Sequence, residues 1–100
     1  MIRQVIFRPD AVEDVVKAAV WYEERSPGLG EELIDEILIA TNRAARNLDL
    51  FRVVRARGDI RRSLTERFPY RIFFSVTDET LYVHAVLHGA QHDRRWRGRV

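Results

Sequence analysis

After a short alternating run at the N-terminus, hydrophobic positions keep a helical period up to about residue 48 and a different one after residue 60. Ile2–Phe7 sets Ile2, Gln4 and Ile6 against Arg3, Val5 and Phe7, which predicts a strand closed by Pro9-Asp10. Asp10 followed by Glu13 has the spacing of a capping box and predicts a helix start. Val12, Val15, Val16, Ala19 and Val20 then recur at helical spacing, so this helix runs to Tyr22 or Arg25. Ser26-Pro27-Gly28-Leu29-Gly30 reads as a turn. A second helix is expected from about Glu31 to Asn47, with Leu33, Ile34, Ile37, Leu38, Thr41, Ala44, Ala45 and Leu48 as its apolar stripe. Glu31, Glu32, Asp35 and Glu36 crowd its first two turns, where the helix dipole favours negative charge. Two helices joined by so short a turn form an antiparallel hairpin.

After that the period falls to two. Ile60–Leu64 reads as a strand, and Phe68-Pro69 punctuates it. Tyr70–Val76 and Leu81–His88 are the clearest strands, joined by the tight connection Thr77-Asp78-Glu79-Thr80. Pairing Val76 with Leu81 puts Tyr70, Ile72, Phe74 and Val76 on one face with Leu81, Val83, Ala85 and Leu87. The other face then carries Arg71, Phe73 and Ser75 beside Tyr82, His84, Val86 and His88. The fold class expected is α+β, an N-terminal strand and a helical hairpin packed on one face of a small antiparallel sheet, in the order β-α-α-β-β-β. The opposite face is expected to be open and to mix cations, histidines and aromatics. The closing segment Asp93–Val100 is Arg-rich and centred on Trp96.

Composition narrows the classes. One hundred residues make one domain's worth of chain, and 46% apolar with 32% charged residues is a globular mixture. No apolar run approaches the roughly 20 residues that span a bilayer. No signal peptide is visible, since Arg3, Arg8 and Asp10 break the first apolar stretch. The absence of cysteine excludes disulfides and thiolate chemistry, and a cytoplasmic location is expected. Net charge is only +2 but uneven: residues 1–51 hold six Lys/Arg against ten Asp/Glu, residues 52–100 eleven against five. Lys17 is the only lysine, and arginine's planar fork suits phosphate and carboxylate recognition. The asymmetry predicts a basic face in the C-terminal half, suited to a polyanion or an acidic protein.

Several chemistries fall away. His84, His88 and His92 recur every fourth residue, but on a strand His84 and His88 stand about 13 Å apart, too far for one ion. No metal and no cofactor is expected. The paired carboxylates Glu13-Asp14, Glu23-Glu24, Glu31-Glu32 and Asp35-Glu36 read as solvated helix faces. Gly28-Leu29-Gly30 lies between two helices and is no nucleotide fingerprint. The outer sheet face remains, where Arg61, Arg71, Phe73, Tyr82, His84 and His88 combine stacking surfaces with phosphate-binding cations. For a metal-free ribonuclease, Arg61 and Arg71 would hold a phosphate and His88 would transfer a proton. The alternatives are a docking face for a partner protein, or simply the solvated side of a sheet.

The order of elements resembles the ParE/RelE superfamily of bacterial toxins, and specific residues carry the resemblance along nearly the whole chain. Ala11–Asp14 looks like the first-helix start, Trp21-Tyr22-Glu23-Glu24 the "wYee" segment and Pro27–Gly30 the inter-helix turn. Ile60-Arg61-Arg62, Phe68-Pro69-Tyr70, Ala85–His88 and Trp96 with Arg99 look like "iRR", "FPY", "avlH" and the closing "W..R". Gln91 departs from the pattern, since the family often has Arg there. The resemblance implies one toxin domain over residues 1–100, part of a type II toxin–antitoxin pair. A cognate antitoxin would silence it and would carry any contact with operator DNA. ParE-like members poison DNA gyrase, while RelE-like members cleave mRNA on the ribosome without metal. The "VLHGA" run Val86–Ala90 and the missing lysines favour the ParE-like branch. On that branch Arg71, Phe73, Tyr82, His84, Trp96 and Arg99 are the expected target-binding residues. On the other, Arg61, Arg71 and His88 are the catalytic ones.

Overall fold

The structure is a computed structural model that describes residues 1–100. Its elements are β1 (Gln4–Phe7), α1 (Pro9–Arg25), α2 (Leu29–Arg46), β2 (Arg52–Arg55), β3 (Ile60–Leu64), β4 (Tyr70–Thr77), β5 (Thr80–His88) and α3 (Arg94–Arg97), with a 3-10 turn at Leu48–Leu50. The strands form one sheet in the order β1-β5-β4-β3-β2. The α+β class and the helical hairpin agree with the sequence reading. Strand β2 and helix α3 were not foreseen, being only four residues each. The sheet is mixed, because β1 pairs with β5 in parallel after the helices carry the chain across.

Local chemistry sets the helix ends somewhat differently from expectation. Pro9, not Asp10, opens α1; its fixed φ suits the first helical position, and Arg8 precedes it without a side-chain cap. Helix α2 starts at Leu29, because Glu23 of α1 accepts the N–H groups of Gly28 and Gly30 at 2.8 and 3.0 Å. Those donors would otherwise be orphans of the helix start. Gly28 has φ +89°, and a Cβ at Gly30 would lie 2.5 Å from the Ala19 carbonyl oxygen. The hairpin is therefore close-packed at a point only glycine allows.

The main core lies between the hairpin and one sheet face, where Leu33, Ile37 and Ala44 meet Ile72, Phe74 and Val83. Val76 pairs with Leu81 as expected. The alternation then breaks. Phe74 faces Val83 and Phe73 faces Ala85, so His84 has no cross-strand partner. This β-bulge adds one residue to β5 and inverts the facing beyond it. Val86 joins the main core, while Ala85 and Leu87 turn to the other side. The expectation that Ala85 and Leu87 share a face with Leu81 and Val83 is corrected by that one residue.

The other sheet face is consequently not open. Ile60, Phe73, Ala85, Leu87 and Trp96 form a second buried cluster, and α3 brings the tryptophan. Trp96 stacks on Phe73 with ring centroids 4.8 Å apart and planes 17° off parallel. Both are 1% exposed, which overturns their expected place on a free surface. The apolar residues of the helices err the other way. Val12, Val16 and Val20 on α1, and Ile34, Leu38 and Ile39 on α2, are between 37% and 67% exposed. The hairpin thus has two apolar sides, one on the sheet and one toward solvent.

Burial of Trp96 makes a quantitative expectation. Trp96→Ala should cost about 3–5 kcal/mol in urea denaturation, the range for a large core aromatic. Ile39→Ala should cost less than about 0.5 kcal/mol, the range for an exposed site. Equal and small losses for both would refute the second cluster.

Candidate functional site

The residues singled out from the sequence are distributed by the register of β3, β4 and β5. Arg61 stands directly opposite Phe74, and residues so paired share a face, so Arg61 points to the helix side. There its Nη1 donates to the carbonyls of Leu48 and Phe51, each at 3.1 Å. Arg71 is on the other face, donating to the Asp93 carboxylate and the Gln91 carbonyl. His88 lies opposite Tyr70 on the helix side, with ring centroids 5.5 Å apart. Its Nδ1 accepts the Ala90 N–H at 3.1 Å. Arg61 and Arg71 are thus on opposite faces with their heads engaged, and no single phosphate reaches both. The bulge also corrects the expectation that His88 shares the outer face with His84. Tyr70 offers no substitute acid or base near neutral pH, since burial pushes its hydroxyl up to about 12.

Gln91, a departure from the family pattern, has a structural use. Its side-chain oxygen accepts the His88 N–H at 2.6 Å while its own carbonyl receives Arg71. An arginine at this position could not accept that N–H bond.

Arg99 belongs to a clamp. Strand β1 ends at Phe7, so β5 beyond Val83 has no neighbour on that edge. Asp14 of α1 accepts the Val86 N–H at 2.9 Å, and Arg99 donates to the His84 carbonyl at 3.1 Å. Asp14 and Arg99 also join each other through two bonds of 2.6 and 3.0 Å. Their side chains are 13% and 19% exposed. The Asp14 carboxylate holds the Arg99 guanidinium above its already high pKa. Of the six expected target-binding residues, Phe73 and Trp96 are core, and Arg71 and Arg99 are held in ion pairs. Tyr82 and His84 remain half-exposed on the outer face.

Two surfaces stay available. One is an apolar groove of about 230 Å³ along the hairpin, lined by Phe7, Val12, Val15, Val16, Ile34, Ile37 and Leu38. The sequence carried its signal, because both helices have more apolar positions than one core-facing stripe needs. The other is the outer side of the sheet beside α3. There Ser75 Oγ and His84 Nε2 are 2.7 Å apart, and Arg52, Arg55, Arg57 and Arg62 have no carboxylate within ion-pair distance. Burial, and then the charges of Arg8 and Arg55, lower the His84 pKa.

Comparison with known proteins adds three findings. A family model described as the ParE toxin of the type II toxin–antitoxin system, parDE, matches residues 5–93. No curated protein sequence matches the chain. Among solved structures, a chain of the chromosomal ParDE TA system from P. aeruginosa superposes with a TM-score of 0.75 at 15% identity, over 88% of this chain and 96% of that one. At such identity the likeness speaks for the fold.

Two measurements follow from the clamp and the bulge. Arg99→Ala should lower unfolding free energy by about 3 kcal/mol, because it leaves Asp14 buried without its counter-charge; a loss within experimental error would remove the clamp from the argument. His84 should titrate below the ordinary imidazole value of 6.5 in an NMR pH series. Since its folded pKa is lowered, the unfolded state binds more protons below 6.5. This contribution to stability is complete above 6.5 and is lost as pH falls toward the folded pKa, and His84→Gln should abolish that part of the slope.

Proposed function

The chain belongs to the ParE toxin family, and on that premise we propose that it arrests DNA replication by inhibiting DNA gyrase. It is the toxin of a type II toxin–antitoxin pair, and such a pair includes a cognate antitoxin. The observation that favours a binding inhibitor over a nuclease is the dispersal of Arg61, Arg71 and His88. A metal-free ribonuclease needs its phosphate-binding and proton-transferring groups around one scissile bond. Here two arginines stand on opposite faces and each is already bonded to the protein.

Residues 1–100 act as one toxin domain in this reading. The target surface is the outer side of the sheet with the C-terminal segment, offering the half-exposed Tyr82 and His84 from the one and the exposed Arg94 and Arg97 from the other. Phe73, Trp96, Arg71 and Arg99 serve it by holding that segment against the sheet. Removing residues after Ala90 would therefore unfold the second cluster and could not separate docking from folding.

The antitoxin takes the apolar groove of the hairpin. Exposed Val12, Val16, Ile34 and Leu38 fit an amphipathic helix with apolar anchors one turn apart. An arginine on that helix's polar side would meet Glu31 in the acidic first turn of α2, whose other carboxylate, Glu32, is already paired with Arg67. Operator DNA would be reached only through the antitoxin. No helix of the chain is long and apolar enough to cross a membrane; the reading places the protein in the cytoplasm with its target.

Pulse labelling within minutes of inducing the chain alone tests the target. DNA synthesis should stop while translation continues, and His88→Ala should kill as the parent does. Early collapse of translation with new mRNA ends would instead establish the ribosome-dependent nuclease. Leu38→Asp should remain toxic but escape rescue by the co-expressed antitoxin, with affinity reduced about a hundredfold in a pull-down titration; full rescue would exclude the groove.

A further inference from the structure

The sheet has two irregularities, and both aim side chains at the same place. At Val54 the β2–β3 ladder shifts by one, so that Val53 faces Arg61 and Arg55 faces Ile60. At His84 the β4–β5 ladder does likewise. Bulges re-aim side chains and recur beside functional sites. Between the two lies a cavity of about 450 Å³ on the outer face, lined by Arg55, Arg57, Gly58, Ile60, Ser75, His84 and Val100. No acidic side chain lines it.

The charges around it are unbalanced. Arg52 stands directly opposite Arg62 on the same face, an arrangement in which like charges repel. Neither has an ion-pair partner, and neither do Arg55 and Arg57. Arg55 is fixed in place by its Nε bond to the Arg57 carbonyl at 2.9 Å and lies over the Trp96 ring. Its planar end is therefore pre-set, with further N–H groups to offer. The Ser75 hydroxyl and the His84 ring, 2.7 Å apart, complete a wall of hydrogen-bonding groups. This combination of a fixed and a free guanidinium, a hydroxyl and an imidazole, with no acidic side chain in the lining, is the chemistry that binds a phosphate group.

We propose that the cavity between the two bulges is a phosphate-binding site, with Arg55 and Arg57 neutralising the anion and the hydrogen-bonded Ser75–His84 pair donating its remaining proton to one of the anion's oxygens. The phosphate can come from a nucleic-acid backbone or from a free small molecule. The site shares His84 and the outer sheet face with the proposed target surface; its test uses the isolated chain, so failure of the gyrase reading would leave it standing.

The test is an NMR titration of the full chain at low salt with inorganic phosphate, and separately with a short single-stranded oligonucleotide. Saturable shifts at the His84 ring, the Ser75 amide and the Arg55 Nε–H are expected with phosphate. Much tighter binding of the oligonucleotide through the same residues would assign the site to a backbone phosphate. Shifts with phosphate and none with the oligonucleotide would assign it to a free small phosphate. Arg57→Gln, at an exposed side chain with no hydrogen bond of its own, should weaken binding about tenfold, as expected for loss of a charge-assisted bond. Arg43→Gln removes the same charge from α2 and should leave affinity unchanged. Equal weakening by the two variants would mean diffuse attraction and would overturn the site. So would the absence of saturable shifts with either probe.

Discussion

Asp14 and Arg99 lie eighty-five residues apart in sequence and meet in two charge-assisted bonds at the edge of β5. Much of the molecule depends on that meeting. Strand β5 outruns β1, so its last residues expose backbone groups that no strand pairs. An unpaired buried N–H or carbonyl is costly, and the clamp satisfies one of each while tying α1 to the C-terminal segment. Once Arg99 is fixed, the residues before it must run back across the sheet. That path brings Trp96 onto Phe73. The bulge at His84 makes the return necessary, because it turns Ala85 and Leu87 away from the hairpin and leaves them to be covered.

The consequence is a protein with its surfaces exchanged relative to a simple two-layer fold. The sheet's far side has a small apolar centre under α3, and the helical hairpin keeps apolar side chains in water. Exposed valines and leucines along two adjacent helices are stable only while the chain is soluble enough alone, or while a partner covers them. In the proposed reading the cognate antitoxin is that partner. The sheet's outer rim, by contrast, is arginine-rich and poor in carboxylates, so the two surfaces differ in the chemistry they can recognise. On the reading proposed above, the hairpin would take the inhibitor through apolar contacts and leave the outer rim to an anionic partner.

The correspondence between sequence and structure was close wherever a signal was local. Pro27–Gly30 marks the hairpin turn, and Val76 opposite Leu81 follows from a four-residue connection between two alternating runs, whereas Glu23, read as part of a solvated helix face, accepts the N–H groups at the start of α2. The two bulges were hidden, since nothing in the letters around Val54 or His84 records that the partner strand lacks a residue. Alternation carried past His84 put Ala85 and Leu87 on the wrong face and made Phe73 and Trp96 look free. Helical spacing likewise did not distinguish the buried Ala18 from the exposed Val16, because a period gives the side of a helix without saying which side the sheet occupies.

By itself the sequence determined the α+β class, the helical hairpin, the pairing of the last two strands and the uneven charge, because each rests on residues near one another in the chain. It also carried the family's pattern from Ala11 to Arg99. Only the tertiary structure decided which arginines are free. Arg61, Arg71 and Arg99 are consumed by carbonyls and carboxylates brought from elsewhere, while Arg55 and Arg57 remain unpaired. A guanidinium's partners are set by distance in space, and those distances depend on register, on two one-residue bulges and on where the tail folds back.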